Sequence, residues 1–324
     1  MLSIVIPTHQ RTDLLQVCLQ AVIRHAPAGT EIVVVDDASP GAAASAMAAS
    51  FGVRVVRLDR QRGFAAAANA GIRASSGDIV EMLNDDTEVQ PGWADAALRW
   101  FDDPNIGVVA PLVLAWPDGR IIDSAGDRYY LGGIAGKRGH GQPLAARYLE
   151  PCRVFGASAA AGFYRRAALE RVGLFPESFG SYFEDVDLAF RLNRAGYAAM
   201  YEPGARVLHH VSASYGRVSR RLLQRQSCNE ELVFWRNLPS STFREALPKH
   251  LAVLLGKALR RWDEGNLTPW LFGKVQALCD FQAVLRQRRE LGTADHFSDW
   301  GVEATYWGSE EAGGILPALS ADPG

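Results

Sequence analysis

Two pairs of adjacent carboxylates stand where short apolar runs end. Asp36-Asp37 follows the run Glu31–Val35, and Asp85-Asp86 follows Ile79–Leu83 with Asn84 between. Neighbouring carboxylates repel each other unless a cation or a donor-rich ligand lies between them. Each pair alone could be a helix N-cap; two pairs at comparable strand ends favour a bound ligand. Carboxylate oxygens are hard ligands suited to Mg²⁺ or Mn²⁺. Mg²⁺ commonly takes one or two carboxylates plus substrate phosphates, so so sparse a set points to a metal–diphosphate complex.

Further polar residues sit at other run ends. Pro7-Thr8-His9-Gln10-Arg11 follows Leu2–Ile6, and Arg62-Gly63-Phe64 follows Val53–Leu58. In Phe183-Glu184-Asp185-Val186-Asp187, helical spacing puts Glu184, Asp187, Arg191 and Arg194 on one face, where Asp187 and Arg191 can form an i,i+4 ion pair. Asp185 stands off that face near the helix start. It is either a carboxylate favoured by the helix dipole or a general base. His209-His210 ends another apolar run, and strand alternation turns only one of the two toward the rim.

The elements that must hold these residues follow from the hydrophobic period. Strand-like runs at Leu2–Ile6, Glu31–Val35, Val53–Leu58, Ile79–Leu83 and Ile106–Ala110 alternate with helical stretches at Leu14–His25, Ala42–Ser50, Ala65–Ala74 and Trp93–Phe101. That alternation predicts βαβ units, a parallel sheet and right-handed crossovers. In such a sheet ligands bind beyond the carboxyl ends of the strands, where the polar residues fall. Residues 112–163 are glycine-rich, with a hairpin signal at Asp118-Gly119. The small-residue stretch Phe155–Gly162 is either an acceptor approach or a tightly packed strand. A helix is expected at Glu184–Ala195, and short strands at Ala198–Tyr201 and Arg206–His209.

Composition excludes several classes. The chain has 324 residues with 48% hydrophobic and 22% charged residues, so it is not predominantly disordered. A net charge of −2 gives no global basic field for nucleic acid. No run approaches the roughly 18–20 apolar residues of a membrane span. Met1–Pro7 has no basic n-region and does not read as a signal peptide. The four cysteines, Cys18, Cys152, Cys228 and Cys279, are widely spaced and read as reduced thiols of a cytoplasmic protein. Neither the dinucleotide G-x-G-x-x-G after the first strand nor the P-loop is present, which argues against NAD enzymes and P-loop NTPases.

Taken in order, six segments resemble nucleotide-sugar glycosyltransferase family 2, of GT-A fold. They are Ser3-Ile4-Val5-Ile6-Pro7-Thr8 with Arg11, Val34-Val35-Asp36-Asp37-Ala38-Ser39, Arg62-Gly63-Phe64 with Asn69-Ala70-Gly71, Leu83-Asn84-Asp85-Asp86-Thr87, Phe183-Glu184-Asp185-Val186-Asp187-Leu188 and Val207-Leu208-His209. The branch most resembled is the bacterial rhamnosyltransferase-like group that builds surface polysaccharides. The resemblance implies an α/β fold: a mostly parallel Rossmann-like sheet with flanking helices, plus a C-terminal helical region. It implies a catalytic domain over residues 1–214, with a nucleotide-sugar half at about 1–111 and an acceptor half at about 112–214. A helical region at 215–291 and an acidic tail at 292–324 follow.

Residue by residue, the resemblance implies that Pro7, Thr8, Arg11, Asp37 and Gly63 line the nucleotide site, with Asp37 accepting from the pyrimidine N3–H. Asn84-Asp85-Asp86 would be the D-x-D-like motif, Asp85 facing ribose or sugar and Asp86 holding Mg²⁺ or Mn²⁺. His209 would complete the metal site, and Asp185 would be the catalytic base. The implied reaction is inverting transfer from dTDP-rhamnose or a UDP-sugar to a hydroxyl of a glycan or lipid-linked acceptor. A sugar-phosphate nucleotidylyltransferase and a non-catalytic nucleotide-sugar-binding module are the alternatives.

Charge sorts along the chain: −3 over residues 1–214, +7 over 215–290 and −6 over 291–324. In the basic segment Leu247, Leu251, Leu254, Leu255, Ala258, Leu259 and Trp262 recur at helical spacing among Lys249, Lys257, Arg260 and Arg261. A second helix is expected at Trp270–Leu291. Apolar stripes are usually core, so packing on the catalytic domain or on a second subunit comes first. Peripheral contact with the inner face of the cell membrane is the other reading.

Overall fold

The computed structural model describes residues 1–210 and 219–290, together with a two-residue strand at Val302–Glu303. The residues Val211–Ser214 that follow the His–His pair, and the acidic tail apart from that strand, lie outside the described residues.

The first half is built from alternating units. Strand β1 (Leu2–Thr8) leads to α1 (Thr12–His25), β2 (Glu31–Asp36), α2 (Ala43–Ser50), β3 (Arg54–Arg57), α3 (Phe64–Ala74) and β4 (Ile79–Met82). β1 lies between β2 and β4, and all its pairings are parallel, as are those of β2 with β3. β1 is buried along its whole length, because helices cover both faces of the sheet and an apolar run without alternation suits such a strand. Gly71 lets α3 approach closely: a Cβ there would fall 2.2 Å from Cγ1 of Val5.

The second half extends the same sheet. It contains β5 (Thr87–Val89), α4 (Trp93–Leu98), β6 (Ile106–Ala115), β7 (Ile122–Ser124), β8 (Asp127–Tyr130) and β9 (Ile134–Lys137). β10 (Cys152–Val154), β11 (Phe163–Arg165), α5 (Arg166–Val172), α6 (Glu184–Arg194) and β12 (Ala198–His209) follow. The ten-stranded sheet runs β10-β12-β6-β11-β4-β1-β2-β3, with β5 on β12 and β7 on β6. β11 is antiparallel to both β4 and β6, and so joins the two halves. The hairpin signal at Asp118-Gly119 corresponds to the antiparallel pairing of β6 and β7. β8 and β9 form a separate antiparallel hairpin.

The two short strands expected at Ala198–Tyr201 and Arg206–His209 are one strand, β12, with an irregularity between Glu202 and Arg206 against β6. Pro203-Gly204 breaks the apolar pattern there, and a bulge absorbs it without ending the strand.

Four helices close the described chain: α7 (Arg220–Asn237), α8 (Phe243–Asp263), α9 (Leu267–Cys279) and α10 (Phe281–Glu290). The expected Trp270–Leu291 helix is divided at Asp280, which follows α9 as its C-cap. α7 packs on α6. Asn237 Nδ2 donates to Oδ1 of Asp187 at 2.9 Å, and Arg191 Nε donates to the other oxygen at 2.9 Å. No described helix is long and apolar enough to cross a membrane. None of the four cysteines is in a disulfide; Cys18 and Cys228 are buried and Cys279 is exposed.

Candidate active site

At the ends of β1 and β2 the two carboxylates of the first pair separate. Asp36 is fully buried and accepts from the Ser39 amide, the Ser45 hydroxyl and the Arg57 guanidinium. It is a structural member. Asp37 accepts from the amides of Arg62 and Gly63 at 2.7 and 2.8 Å, while its own amide donates to the carbonyl of Thr8 at 2.9 Å. Asp37 thus ties β1, β2 and the turn before α3 together. Gly63 has φ +88°, a region that favours glycine, and a Cβ there would fall 3.1 Å from the carbonyl of Gly180. Pro7 is buried and lies opposite Val35 on β2.

After β4, Asn84 donates its amide to the carbonyl of Ala160 at 2.8 Å and accepts on its own carbonyl from the Thr87 hydroxyl at 2.7 Å. Thr8 Oγ1 donates to Oδ2 of Asp85 at 2.6 Å. Burial, with Asp86 adjacent, pushes the Asp85 carboxyl up to about 7 despite that bond. Arg11 Nη2 faces Oδ2 of Asp86 at 3.7 Å.

The antiparallel register of β5 and β12 sets His209 opposite Thr87, one residue past Asp86. His209 Nε2 lies 3.0 Å from Oδ1 of Asp86, and Nδ1 lies 3.0 Å from Oδ2 of Asp123 on β7. Burial disfavours an imidazolium here, but the two carboxylates outweigh it and raise His209 to about 9. Asp123 also accepts from Lys137 Nζ at 2.9 Å. Although burial opposes ionisation, its histidine and lysine partners hold Asp123 far below the usual carboxylate range. His210 points elsewhere, 2.7 Å from Oε1 of Glu88 and stacked on Trp116.

Among the described residues, no three His, Cys, Asp or Glu side chains converge as a ready metal cage. The Asp86–His209 pair is nevertheless a workable half-site. A separation of 3.0 Å between a carboxylate oxygen and an imidazole nitrogen suits adjacent ligands on one divalent ion with bonds of about 2.1 Å. Asp123, 3.0 Å from the far ring nitrogen, would serve as the orienting carboxylate of a metal-bound histidine. Two protein ligands leave positions for diphosphate oxygens.

Asp185 lies in the first turn of α6. Its Oδ2 accepts from the Ala159 amide at 3.2 Å and its Oδ1 from the Val186 amide at 2.8 Å. Burial raises its pKa above the ordinary value against the pull of those amides and of Lys137. The residues just before the helix, Tyr182 and Phe183, both have positive φ, 73° and 69°, a costly conformation for aromatic residues and a recurrent one at functional sites. Asn229 on α7 holds that turn: its Nδ2 donates toward the carbonyls of Phe179, Ser181 and Tyr182 at 3.0, 3.2 and 2.9 Å. One short loop links the two limbs, because Ala160 accepts from Asn84 while Ala159 donates to Asp185.

Asp123, Asp127, Lys137 and Asn229 were not signalled by the sequence. β8 and β9 place Asp127 opposite Lys137. Asp127 is buried, and burial together with nearby Asp185 pushes its carboxyl well up. Only the polar residue in the apolar setting Ile121-Ile122-Asp123 could have drawn attention to this region.

The fold has known counterparts. It superposes on the mannosyltransferase PcManGT of Pyrobaculum calidifontis, in complex with GDP-Man and Mn²⁺, with a TM-score of 0.57 at 19% identity, covering 86% of this chain and 87% of that one. The architecture is therefore of GT-A type. Residues 3–173 match the family described as glycosyl transferase family 2, and the chain belongs to that family. It is 32% identical over 183 residues to the pre-mycofactocin glycosyltransferase of Mycobacterium tuberculosis, covering 56% of this chain and 37% of that protein. It is 37% identical over 155 residues to the N-acetylglucosaminyl-diphospho-decaprenol L-rhamnosyltransferase of the same species, covering 43% of this chain and 49% of that protein. The chain spans half or less of the length of these relatives.

Proposed function

We propose that the protein transfers a sugar, with inversion, from a nucleoside-diphosphate sugar to a hydroxyl of a glycan or lipid-linked acceptor in bacterial surface polysaccharide synthesis. The donor is dTDP-rhamnose or a UDP-sugar. The observation that carries this reading is the link between the Asp86–His209 limb and Asp185 through the adjacent residues Ala159 and Ala160. The rhamnosyltransferase relative supports the acceptor class, and the Mn²⁺-bound fold neighbour supports a divalent cation.

In this reading Thr8, Arg11, Asp37 and the Gly63 turn hold the nucleotide, and Asn84 and Asp85 hold the sugar side of the donor. Asp86 and His209 would hold Mg²⁺ or Mn²⁺, which when bound supplies Lewis-acid neutralisation of the diphosphate leaving group. Asp185 takes the proton of the acceptor hydroxyl as it attacks the anomeric carbon. One carboxylate base, with no second one acting as nucleophile, corresponds to a single displacement through an oxocarbenium-like state. Residues 1–214 act as the catalytic domain, its two halves meeting at β4 and β11, while α7 braces the base turn.

A thermal-shift panel of nucleotide sugars, with and without Mn²⁺, tests the donor assignment. One nucleotide sugar should stabilise the protein by mass action in a metal-dependent way, and Asp86→Ala should abolish that shift. No stabilisation by any member of the panel would contradict the reading.

A further inference from the structure

We infer that the outer faces of α8 and α9 dock on an anionic lipid bilayer surface. Among the described residues, eleven of the eighteen exposed large hydrophobic side chains lie between Leu247 and Leu285. On α8, Leu251, Leu255, Leu259 and Trp262 are 57%, 63%, 61% and 71% exposed and follow one another at four- and three-residue steps. On α9, Phe272, Val275 and Leu278 are 60%, 55% and 64% exposed. The opposite face of each helix is occupied: Ala246 and His250 of α8, and Trp270 and Ala277 of α9, are buried. The outer stripes are therefore a second apolar face, not the edge of the core.

Charge decides the occupant. Residues 243–290 carry nine Lys or Arg against five Asp or Glu; Lys257 and Lys274 are paired with Glu230 and Glu231 of α7, which leaves seven basic against five acidic side chains. Arg260 and Arg261 flank the stripe between Leu259 and Trp262 and both donate to Glu264, at 2.7 and 2.5 Å. Arg286 and Arg289 stand near the end of α10, on either side of Arg288, which donates inward to the Trp235 carbonyl and the Ser240 hydroxyl. Leucine and tryptophan on one face with basic residues beside them is the pattern of a helix lying in the interface of an anionic membrane. A second copy of this chain would bring the same excess of positive charge against itself. The membrane contact deepens the lipid-linked acceptor reading and rests on it for its purpose. Its test needs neither donor nor turnover, so the two can fail separately.

Flotation of the full chain with phosphatidylglycerol-containing vesicles and with pure phosphatidylcholine vesicles tests the inference. The wild-type protein should float with the anionic vesicles. The double variant Leu255→Glu/Leu259→Glu, changed only at exposed positions, should lose at least tenfold in floated fraction while keeping its thermal melting point. Equal flotation of the variant would overturn the assignment of this face. So would absence of wild-type flotation accompanied by a dimer, seen by light scattering, that the same substitutions dissociate.

Discussion

Asn229 Nδ2 lies 2.9 Å from the carbonyl oxygen of Tyr182, three residues before Asp185. A helix outside the family-matched segment thereby fixes the strained turn that opens α6. The same amide reaches the carbonyls of Phe179 and Ser181. Replacing it with leucine removes a donor that the three carbonyls share; the Phe179 carbonyl still accepts from the Ser181 amide at 2.8 Å, and a carbonyl left buried and unsatisfied costs about 1–3 kcal/mol. Asn229→Leu should lower the denaturation midpoint and reduce kcat about tenfold, with the donor-induced thermal shift preserved. An unchanged kcat would show that α7 does not position the base.

The acid limb of the rate profile should lie above the ordinary carboxylate range of about 4. Burial raises the Asp185 carboxyl, and a base must be ionised to accept a proton. Activity is therefore lost as pH falls through that raised value and is retained above it. Lys137 pulls the value down, so Lys137→Met should move the limb to higher pH. Profiles of kcat/KM against pH for both proteins check the direction.

Asp123→Asn should weaken metal-dependent donor binding about 10–100-fold, the usual cost of losing an orienting partner of a ligating histidine. Mn²⁺ titration of the donor-induced thermal shift reads the change. An unaltered midpoint would remove Asp123 from the metal limb.

Glu81 is fully buried in β4, with the Trp93 indole N–H donating to Oε1 at 2.9 Å and Oε2 without a hydrogen bond. Burial raises its pKa well above the ordinary value, opposed by that one bond. A raised folded-state pKa contributes stability that is present below about 4.3, the unfolded value, and lost as pH rises toward the folded value. Glu81→Gln should therefore gain on wild type between pH 5 and pH 8, measured as urea midpoints. A constant difference would mean that Glu81 is ionised in the fold.

The parts of the molecule that were legible in the sequence share one property: their meaning is local. Asp37, Asp85 and Asp86 announce themselves because each follows an apolar run that can only be a strand. Asp187 and Arg191 pair at four-residue spacing, as the helix period requires. Asp123, Lys137 and Asn229 work through partners 86, 14 and 47 residues away, which no periodicity encodes. The fold places Asp123 beside His209 only because β7 and β12 both pair with β6. The stripe on α8 was visible as a period, but the period alone does not say whether a neighbour covers it. Asp36 shows the converse: its type and place matched a ligand site, yet its partners are Ser39, Ser45 and Arg57 of its own fold.

In the proposed mechanism Asp185 performs the proton transfer while a separate limb holds the donor. Measuring donor-induced stabilisation and sugar transfer side by side in Asp185→Asn, with Mn²⁺ present, tests it most directly. An unchanged thermal shift is expected, with a loss of transfer of about 10²–10⁴-fold, the usual contribution of a general base. Turnover within a few-fold of wild type in that variant would contradict it.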